Sequence, residues 1–577
     1  MLRYNIIGNN DIDNILQTVL FNRGITDWKT YLSLNESPRD TYKNLEYIDE
    51  AVQIFDKHFQ AQKPIAILAD NDVDGATSCA LMYKYIKDLN ADYDVRVYVH
   101  EKNKSHGLDG DFDIDNDLGL LIVPDAGSND IEEHERIVNE LGIDCLCLDH
   151  HQVNINIEDS PAIIVNNQSS EKYTNKHCCG AAVTLEFCRA LDEYYWEDIS
   201  DKYLDLVGVA NVCDVMQLTS FETKASVVEG LSDIRNKMLL EIIKAQDFSM
   251  KGIVSPHTVG WYIGPLVNAH IRMASHEDRV LMMKAFCEED NEIFMYTKRG
   301  TTEPIEENIY EHVVRMMKSS KGKQDRQRKK SVPELVEMAM NNDGKVAIID
   351  ATGIIDTGLT GVVAIKVSEE VNKPVILLQQ RDDDNTYGGS ARVFDNCEVD
   401  DFRALIDECP HTNYALGHNS ACGVSIDIDK VNLTRDWLNE QLADVKMDKV
   451  YDVDFEIDAS ALDYSIFQEL DTCKTIWGHG VKEPLFAIKN IHISAETAKI
   501  IGSRQDAINI YDPETEVKYV KLFCNKNEEL YQWIFNNWGD EEAYITIVGT
   551  LGLNSFQGRL DPQVNIKDVV ITNTVQN

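Results

Sequence analysis

Six aspartates and two histidines stand in four short segments of this chain: Asp70-Asn71-Asp72-Val73-Asp74-Gly75, Asp125, Asp149-His150-His151 and Asp214. Each segment follows an apolar run, at Ile65–Ala69, Leu120–Pro124, 144–148 and 203–212, that reads as a buried strand or apolar helix. Buried strands of this kind belong to a parallel sheet covered by helices, whose ligand site lies beyond the carboxyl ends of the strands. The pattern therefore gathers the eight side chains at one sheet edge. So much negative charge in one place requires cations. Carboxylates mixed with imidazoles suit Mn²⁺ or Mg²⁺, and two such ions equip a site for phosphodiester hydrolysis.

Individual roles follow from the same chemistry. Asp72 and Asp74 lie two apart in one loop, with Gly75 allowing a bend that turns both toward one site. Asp125 can offer one oxygen to each of two ions. His150 suits a metal as neutral imidazole if its second ring nitrogen is held by an acceptor. Asp149 can support backbone and histidine geometry, while His151 can bind metal or steady charge on a reacting phosphate. One aspartate in a strand-to-helix loop is an ordinary cap, but Asp70, Asp72, Asp74, Asp125, His150, His151 and Asp214 in one register call for a common purpose.

Composition sets the outer limits. The 577 residues suffice for several domains, and 43% hydrophobic with 27% charged content is that of an ordinary soluble protein. No apolar run approaches the roughly 20 residues of a membrane span, and the first residues lack signal-peptide regions. The 13 cysteines include no CxxC pair and read as scattered core thiols, so a cytoplasmic location is expected. A net charge of −43 argues against non-specific affinity for nucleic acid. It does not describe the potential inside one groove. Lys318, Lys321, Lys323, Arg326, Arg328, Lys329 and Lys330 form a basic cluster that reads either as part of a basic channel or as a solvated linker.

Residues 1–45 read as a short helical lead-in. From 46 to 245 apolar strands alternate with amphipathic helices such as 77–88 and 180–192, the mark of βαβ units. Residues 246–340 form a connector whose strand signal fades from about 275, leaving charged helices through 282–294 and 306–318. A second α/β segment occupies 341–450, with strands at 346–350 and 374–378, a helix at 359–370, and glycine-bearing loops at 388–392 and 417–423. Across 451–577, short strands at 453–457, Phe486–Ile493, 517–523, 544–551 and 564–571 enclose a helix at 527–538. That order fits an OB-type barrel, a common single-strand binder.

Together these residues resemble the DHH phosphoesterase family, and within it the RecJ type. The four family motifs are matched by residues 68–78, by Val123-Pro124-Asp125-Ala126-Gly127, by Asp149-His150-His151 and by residues 204–218. The DHH-associated domain is resembled by Gly389-Ser390-Ala391-Arg392 and Gly417-His418. The RecJ type is resembled by residues 265–272 and by residues 477–486, which open the barrel domain. Two departures stand out. Asn268-Ala269-His270-Ile271-Arg272 replaces Asn-Ala-Ala-Gly-Arg, which implies a reshaped loop. Lysine, near Lys102 or Lys104, replaces an arginine before His106-Gly107-Leu108, which implies a looser phosphate grip.

The resemblance implies an α/β protein in which a parallel-sheet DHH domain and a DHH-associated domain are joined by a long helical connector, followed by the barrel. It implies two Mn²⁺ or Mg²⁺ ions held by Asp70, Asp72, Asp74, Asp125, His150 and Asp214. Catalytic roles fall to His151, Asp149 and Asp74. Substrate contacts fall to Arg272, Ser390, Arg392, His418, Lys102 and Lys104, with Phe556 and Trp477 as candidate stacking residues. The activity implied is 5′→3′ exonucleolysis of single-stranded DNA to 5′-mononucleotides in repair, recombination or replication. A single-strand-binding or other repair protein is a further expected partner, and no membrane is involved. The rival readings are a phosphodiesterase for short oligonucleotides and a non-catalytic replication scaffold.

Overall fold

The computed structural model describes residues 2–33, 39–101, 106–109, 112–289, 292–298, 300–381, 385–537, 541–556 and 558–576. Lys102 and Lys104 lie outside these residues, as does the side chain of Phe556. The chain divides into two compact units. One contains residues 27–324 with 475–482, and the other contains residues 1–26, 325–474 and 483–577.

The first unit is built on five parallel strands: β1 (Ile65–Ala69), β2 (Val95–Val99), β3 (Leu120–Pro124), β4 (Asp144–Asp149) and β5 (Ile163–Asn166). Their order is β2-β1-β3-β4-β5. The chain leaves β1 for the β2 edge and returns as β3 on the other side, so the topological switch lies between β1 and β3. Ala66, Leu68, Leu121, Val123, Cys145, Cys147 and Ile164 share one apolar cluster. Helices α1 (Val73–Leu89), α2 (Gly180–Tyr195), α3 (Leu204–Cys213) and α4 (Gly264–Met273) belong to the same unit.

The connector departs from expectation. A β-hairpin, Ile293–Thr297 with Pro304–Asn308, occupies part of the stretch expected to be helical. Its signal is the alternating run Ile293-Phe294-Met295-Tyr296-Thr297, in which Phe294 stacks on His312 and Arg315 lies over Tyr296. The basic cluster is no loose linker. It sits on one continuous helix, α5 (Ile309–Met340), where Lys318, Lys323, Arg326, Lys329 and Lys330 are exposed.

The second unit holds a mixed sheet of β6 (Ala347–Asp350), β7 (Val375–Gln380), β8 (Thr386–Arg392), β9 (Tyr414–His418) and β10 (Ala421–Asp427), in the order β9-β10-β8-β7-β6. Stretches expected as glycine loops at 388–392 and 417–423 are largely strands. Glycine is needed at Gly389 because a Cβ there would meet Leu377 O at 2.4 Å. The barrel sheet runs β11-β12-β16-β17-β15-β14-β13. Its strands are β11 (Phe455–Asp458), β12 (Phe486–Ile493), β13 (Ala498–Ile501), β14 (Ala507–Tyr511), β15 (Lys518–Lys521), β16 (Glu541–Phe556) and β17 (Arg559–Gln576). The helix Glu529–Asn536 lies between β15 and β16, as expected, while the β13–β14 hairpin was not anticipated. The N-terminal lead-in also contributes a strand, Arg3–Ile6, parallel to Val450–Val453.

Candidate active site

The four acidic segments converge at the carboxyl end of the parallel sheet. Asp70, Asp72 and Asp125 each bring a donor atom within 4.8 Å of the others. Asp74, His150 and Asp214 form a second such group, and Asp125, His150 and His151 a third that joins them. His150 Nε2 lies 3.2 Å from Asp125 Oδ1, 3.4 Å from Asp214 Oδ2 and 3.8 Å from Asp74 Oδ2.

Local structure explains how the carboxylates are aimed. Asp72 caps α1, accepting the Gly75 N–H at 2.9 Å. Gly75 is required for close packing and not for a bend, since a Cβ there would meet Asp70 Cβ at 2.6 Å. Asp125 takes the left-handed conformation, at φ 66°, at the end of β3. Gly180 leaves room for it, because a Cβ there would lie 2.5 Å from Asp125 Cα. Asp74 accepts the Gly180 and Ala181 N–H groups at 2.7 and 2.9 Å, so it anchors the amino end of α2 while facing His150. Asp214 ends α3.

Asp149 is a support. Its Oδ1 accepts the backbone N–H groups of His150 and His151 and the His151 Nδ1, and its Oδ2 accepts from Ser128. Burial opposes ionisation of Asp149, yet the hydrogen bond and charge of His151 hold its pKa below the usual range. Burial also disfavours the His151 cation, but the Asp149 bond outweighs it and lifts His151 to about 9. His150 is pushed the other way by burial and stays neutral, as a metal ligand must.

The remaining carboxylates repel one another. Burial together with the charges of Asp70 and Asp74 lifts Asp72 to about 6. Burial and the charges of Asp74 and Asp72 raise Asp125 well above its ordinary value and Asp214 to about 8. Asp125 Oδ1 and His150 Nε2 are buried and find no hydrogen-bond partner among the described residues. Orphaned donor atoms, crowded carboxylates and a neutral imidazole fit divalent cations with oxygen and nitrogen ligands.

Sequence reasoning overlooked four supports. His100, directly after β2, and His106 both pair with Asp70, and Gly107 N–H donates to it at 3.2 Å. The two histidines together overcome burial and keep Asp70 below its normal pKa. The buried Arg279 donates to Asn71 Oδ1 at 3.0 Å and to Glu101 O at 2.7 Å, bracing the loop between the first two aspartates.

Arg272 sits in α4, close enough to feel the charge of Asp72. The 268–272 segment expected as a reshaped loop is ordinary helix, so it needs no glycine. Segment 475–482 packs into this unit: His479 O accepts the Leu218 N–H at 2.9 Å, and a Cβ on Gly480 would meet Gln217 Oε1. Trp477 is only 7% exposed there, so it is a core residue and offers no face to a base.

In the other unit, Ser390 and Arg392 lie on β8 and His418 on β9. Arg392 and His418 both register against Ala421 of β10, which puts them in one row across three strands. Gly361 makes space in front of them: a Cβ would lie 2.5 Å from Arg392 Nη2 and 3.6 Å from Ser390 Oγ. Gly361 belongs to the first turn of the helix Thr360–Val371, so that helix's positive end faces the same groups.

Residues 64–210 match the model of the DHH family N-terminal domain, and residues 453–568 match that of the RecJ OB domain. The prophage-derived protein YorK of Bacillus subtilis, named as a single-strand DNA-specific exonuclease, is 32% identical over 100% of this chain and 99% of its own length. The chain belongs to the RecJ-type DHH family. Another family member, the single-stranded-DNA-specific exonuclease RecJ of Bacillus subtilis, is 25% identical over 97% of this chain and 68% of its own. The RecJ-type fold extends over the whole chain. RecJ of Thermus thermophilus in complex with Mn²⁺ superposes with a TM-score of 0.74 at 17% identity, covering 99% of this chain and 80% of that one. Its Mg²⁺ complex gives a TM-score of 0.68, covering 98% and 78%. Among the described residues no helix is long and apolar enough to cross a membrane.

Proposed function

We propose that this protein is a divalent-metal-dependent exonuclease that degrades single-stranded DNA from the 5′ end to 5′-mononucleotides, acting in repair, recombination or replication. The observation that carries the reading is the pair of donor groups, Asp70/Asp72/Asp125 and Asp74/His150/Asp214, facing each other across Asp125 and His150. Two groups call for two ions, Mn²⁺ or Mg²⁺, which Asp70, Asp72, Asp74, Asp125, His150 and Asp214 would hold. Bound ions supply Lewis acidity, lowering the pKa of a water and offsetting charge on the phosphate.

The chain's own residues do the rest. His151, held cationic by Asp149, offers Nε2 to the phosphate oxygens where negative charge grows. Arg272 presents a fixed positive charge beside Asp72. Ser390, Arg392 and His418, with the amino end of the 360–371 helix, form a group of donors suited to the terminal phosphate of the strand. The exposed lysines and arginines of α5 offer phosphate contacts on a chain whose remaining surface is strongly acidic. The barrel supplies a further strand-binding surface.

The test is product analysis. A single strand labelled at its 5′ end, incubated with Mn²⁺, should release label as mononucleotide from the first turnover, while blunt duplex stays intact. Label appearing first in long internal fragments, or at equal rates from both substrates, would exclude the reading.

A further inference from the structure

Helix α3 ends in an unusual way directly beside the ligand cluster. Met216 N–H donates to Asn211 O at 2.9 Å, and Val215 N–H donates to Val212 O at 3.3 Å. This pairing closes a helix through one residue in the left-handed conformation, a place that glycine or asparagine usually takes. Here it is Val215, at φ 60°. Among the described residues it is the one β-branched residue at positive φ. A branched Cβ crowds the following carbonyl in that conformation, so the arrangement is strained.

Packing does not compensate, because Val215 is 49% exposed. The loop beyond it enforces the geometry. Leu218 N–H is held by His479 O, Leu218 O accepts the buried Tyr31 hydroxyl at 2.8 Å, and Gln217 Nε2 meets His479 Nε2 at 3.3 Å. A strained residue that its surroundings over-determine, placed at a reaction site, is the pattern of a built-in functional contact. Val215 directly follows Asp214, whose carboxylate lies 3.4 Å from His150 Nε2.

We propose that Val215 is a substrate contact: its isopropyl group packs on the sugar and base of the nucleotide whose phosphodiester lies over the cluster. The proposal rests on the exonuclease reading for the identity of the substrate. Glycine and asparagine both accept the left-handed turn, so Val215→Gly and Val215→Asn remove the methyl groups without disturbing the helix end. Three properties are measured on the full chain. These are melting temperature, Mn²⁺ affinity by electron paramagnetic resonance, and single-strand affinity by fluorescence anisotropy in Ca²⁺, with KM and kcat in Mn²⁺ beside them.

Both variants should melt at or above the wild-type temperature and bind Mn²⁺ within twofold of it. Single-strand affinity should fall about fivefold or more and KM should rise in step, with kcat kept. Unchanged strand affinity and KM would overturn the proposal, as would a lowered melting temperature, which would make Val215 a packing residue. Weakened Mn²⁺ binding would overturn it too, by making Val215 a positioning residue for Asp214. If the wild type cleaves no single strand, the exonuclease reading fails, while the anisotropy comparison still decides whether Val215 touches the strand.

Discussion

Asp125 Oδ1 and His150 Nε2 face each other across 3.2 Å, both buried, and neither makes a hydrogen bond among the described residues. A carboxylate and an imidazole so placed are incomplete without a cation between or beside them. Asp125→Asn keeps the shape and tolerates the left-handed backbone, but removes one negative charge from the cluster. The variant should melt higher than wild type in chelator. Mn²⁺ should stabilise the wild type by about 2.7 kcal/mol per bound ion at one hundred times Kd and the variant far less. Thermal denaturation with and without Mn²⁺ checks both.

The metal-free protein should lose stability as pH rises. Asp72 and Asp214 are lifted to about 6 and about 8 when folded, above the ordinary aspartate value. A carboxyl that binds its proton more tightly when folded favours the folded state at low pH, and that gain disappears as pH passes through the folded pKa. His151, raised to about 9, adds a loss of the same sign above its unfolded value. In chelator, the melting temperature should therefore decline between pH 5 and 9, and Mn²⁺ should flatten the decline. A chelator series that is flat over this range would show that the cluster does not titrate as described.

Asp149→Asn tests the support of His151. Without the carboxylate the imidazole loses the bond that raises its pKa, so the alkaline limb of the pH–rate profile should move to lower pH. Turnover at neutral pH should fall about 10- to 100-fold, as expected for a residue that orients a working group. A profile that keeps its alkaline limb would place His151 outside the reaction.

Arg392 can be separated from the metal cluster by its substrate preference. Arg392→Lys swaps a two-pronged donor for a point charge. The variant should lose most of any advantage of a 5′-phosphate over a 5′-hydroxyl strand, through KM, with Mn²⁺ affinity unchanged. Side-by-side kinetics on the two ends measures it.

Much of the site was legible because β1 and β3 are unbroken apolar runs that are buried on both faces, so their terminal aspartates stood out. His100 was hidden for the opposite reason. It follows β2, an edge strand where Arg96 and Tyr98 interrupt the apolar pattern, so no buried run pointed to it. The purpose of Gly75 and Gly180 was equally invisible: Gly75 is small to admit Asp70 of its own loop, and Gly180 to admit Asp125 from a different segment. Gly388 and Gly389 were misread as a loop because glycine in a strand marks close strand approach only once the neighbour is known. The 293–308 hairpin was masked by the charged residues around it. The helix Glu529–Asn536 of the barrel region was legible because alternating strands bracket it, whereas the helix Tyr464–Thr472 and the β13–β14 hairpin were not.

The central claim is that the Asp125 cluster hydrolyses single-stranded DNA. Its most direct test is a 3′-labelled single strand with Mn²⁺, treated with wild type or with Asp125→Asn. Wild type should shorten the strand progressively from the 5′ end, and the variant should leave it intact while still binding it. Equal shortening by both proteins, or none by either with the strand bound, would contradict the account.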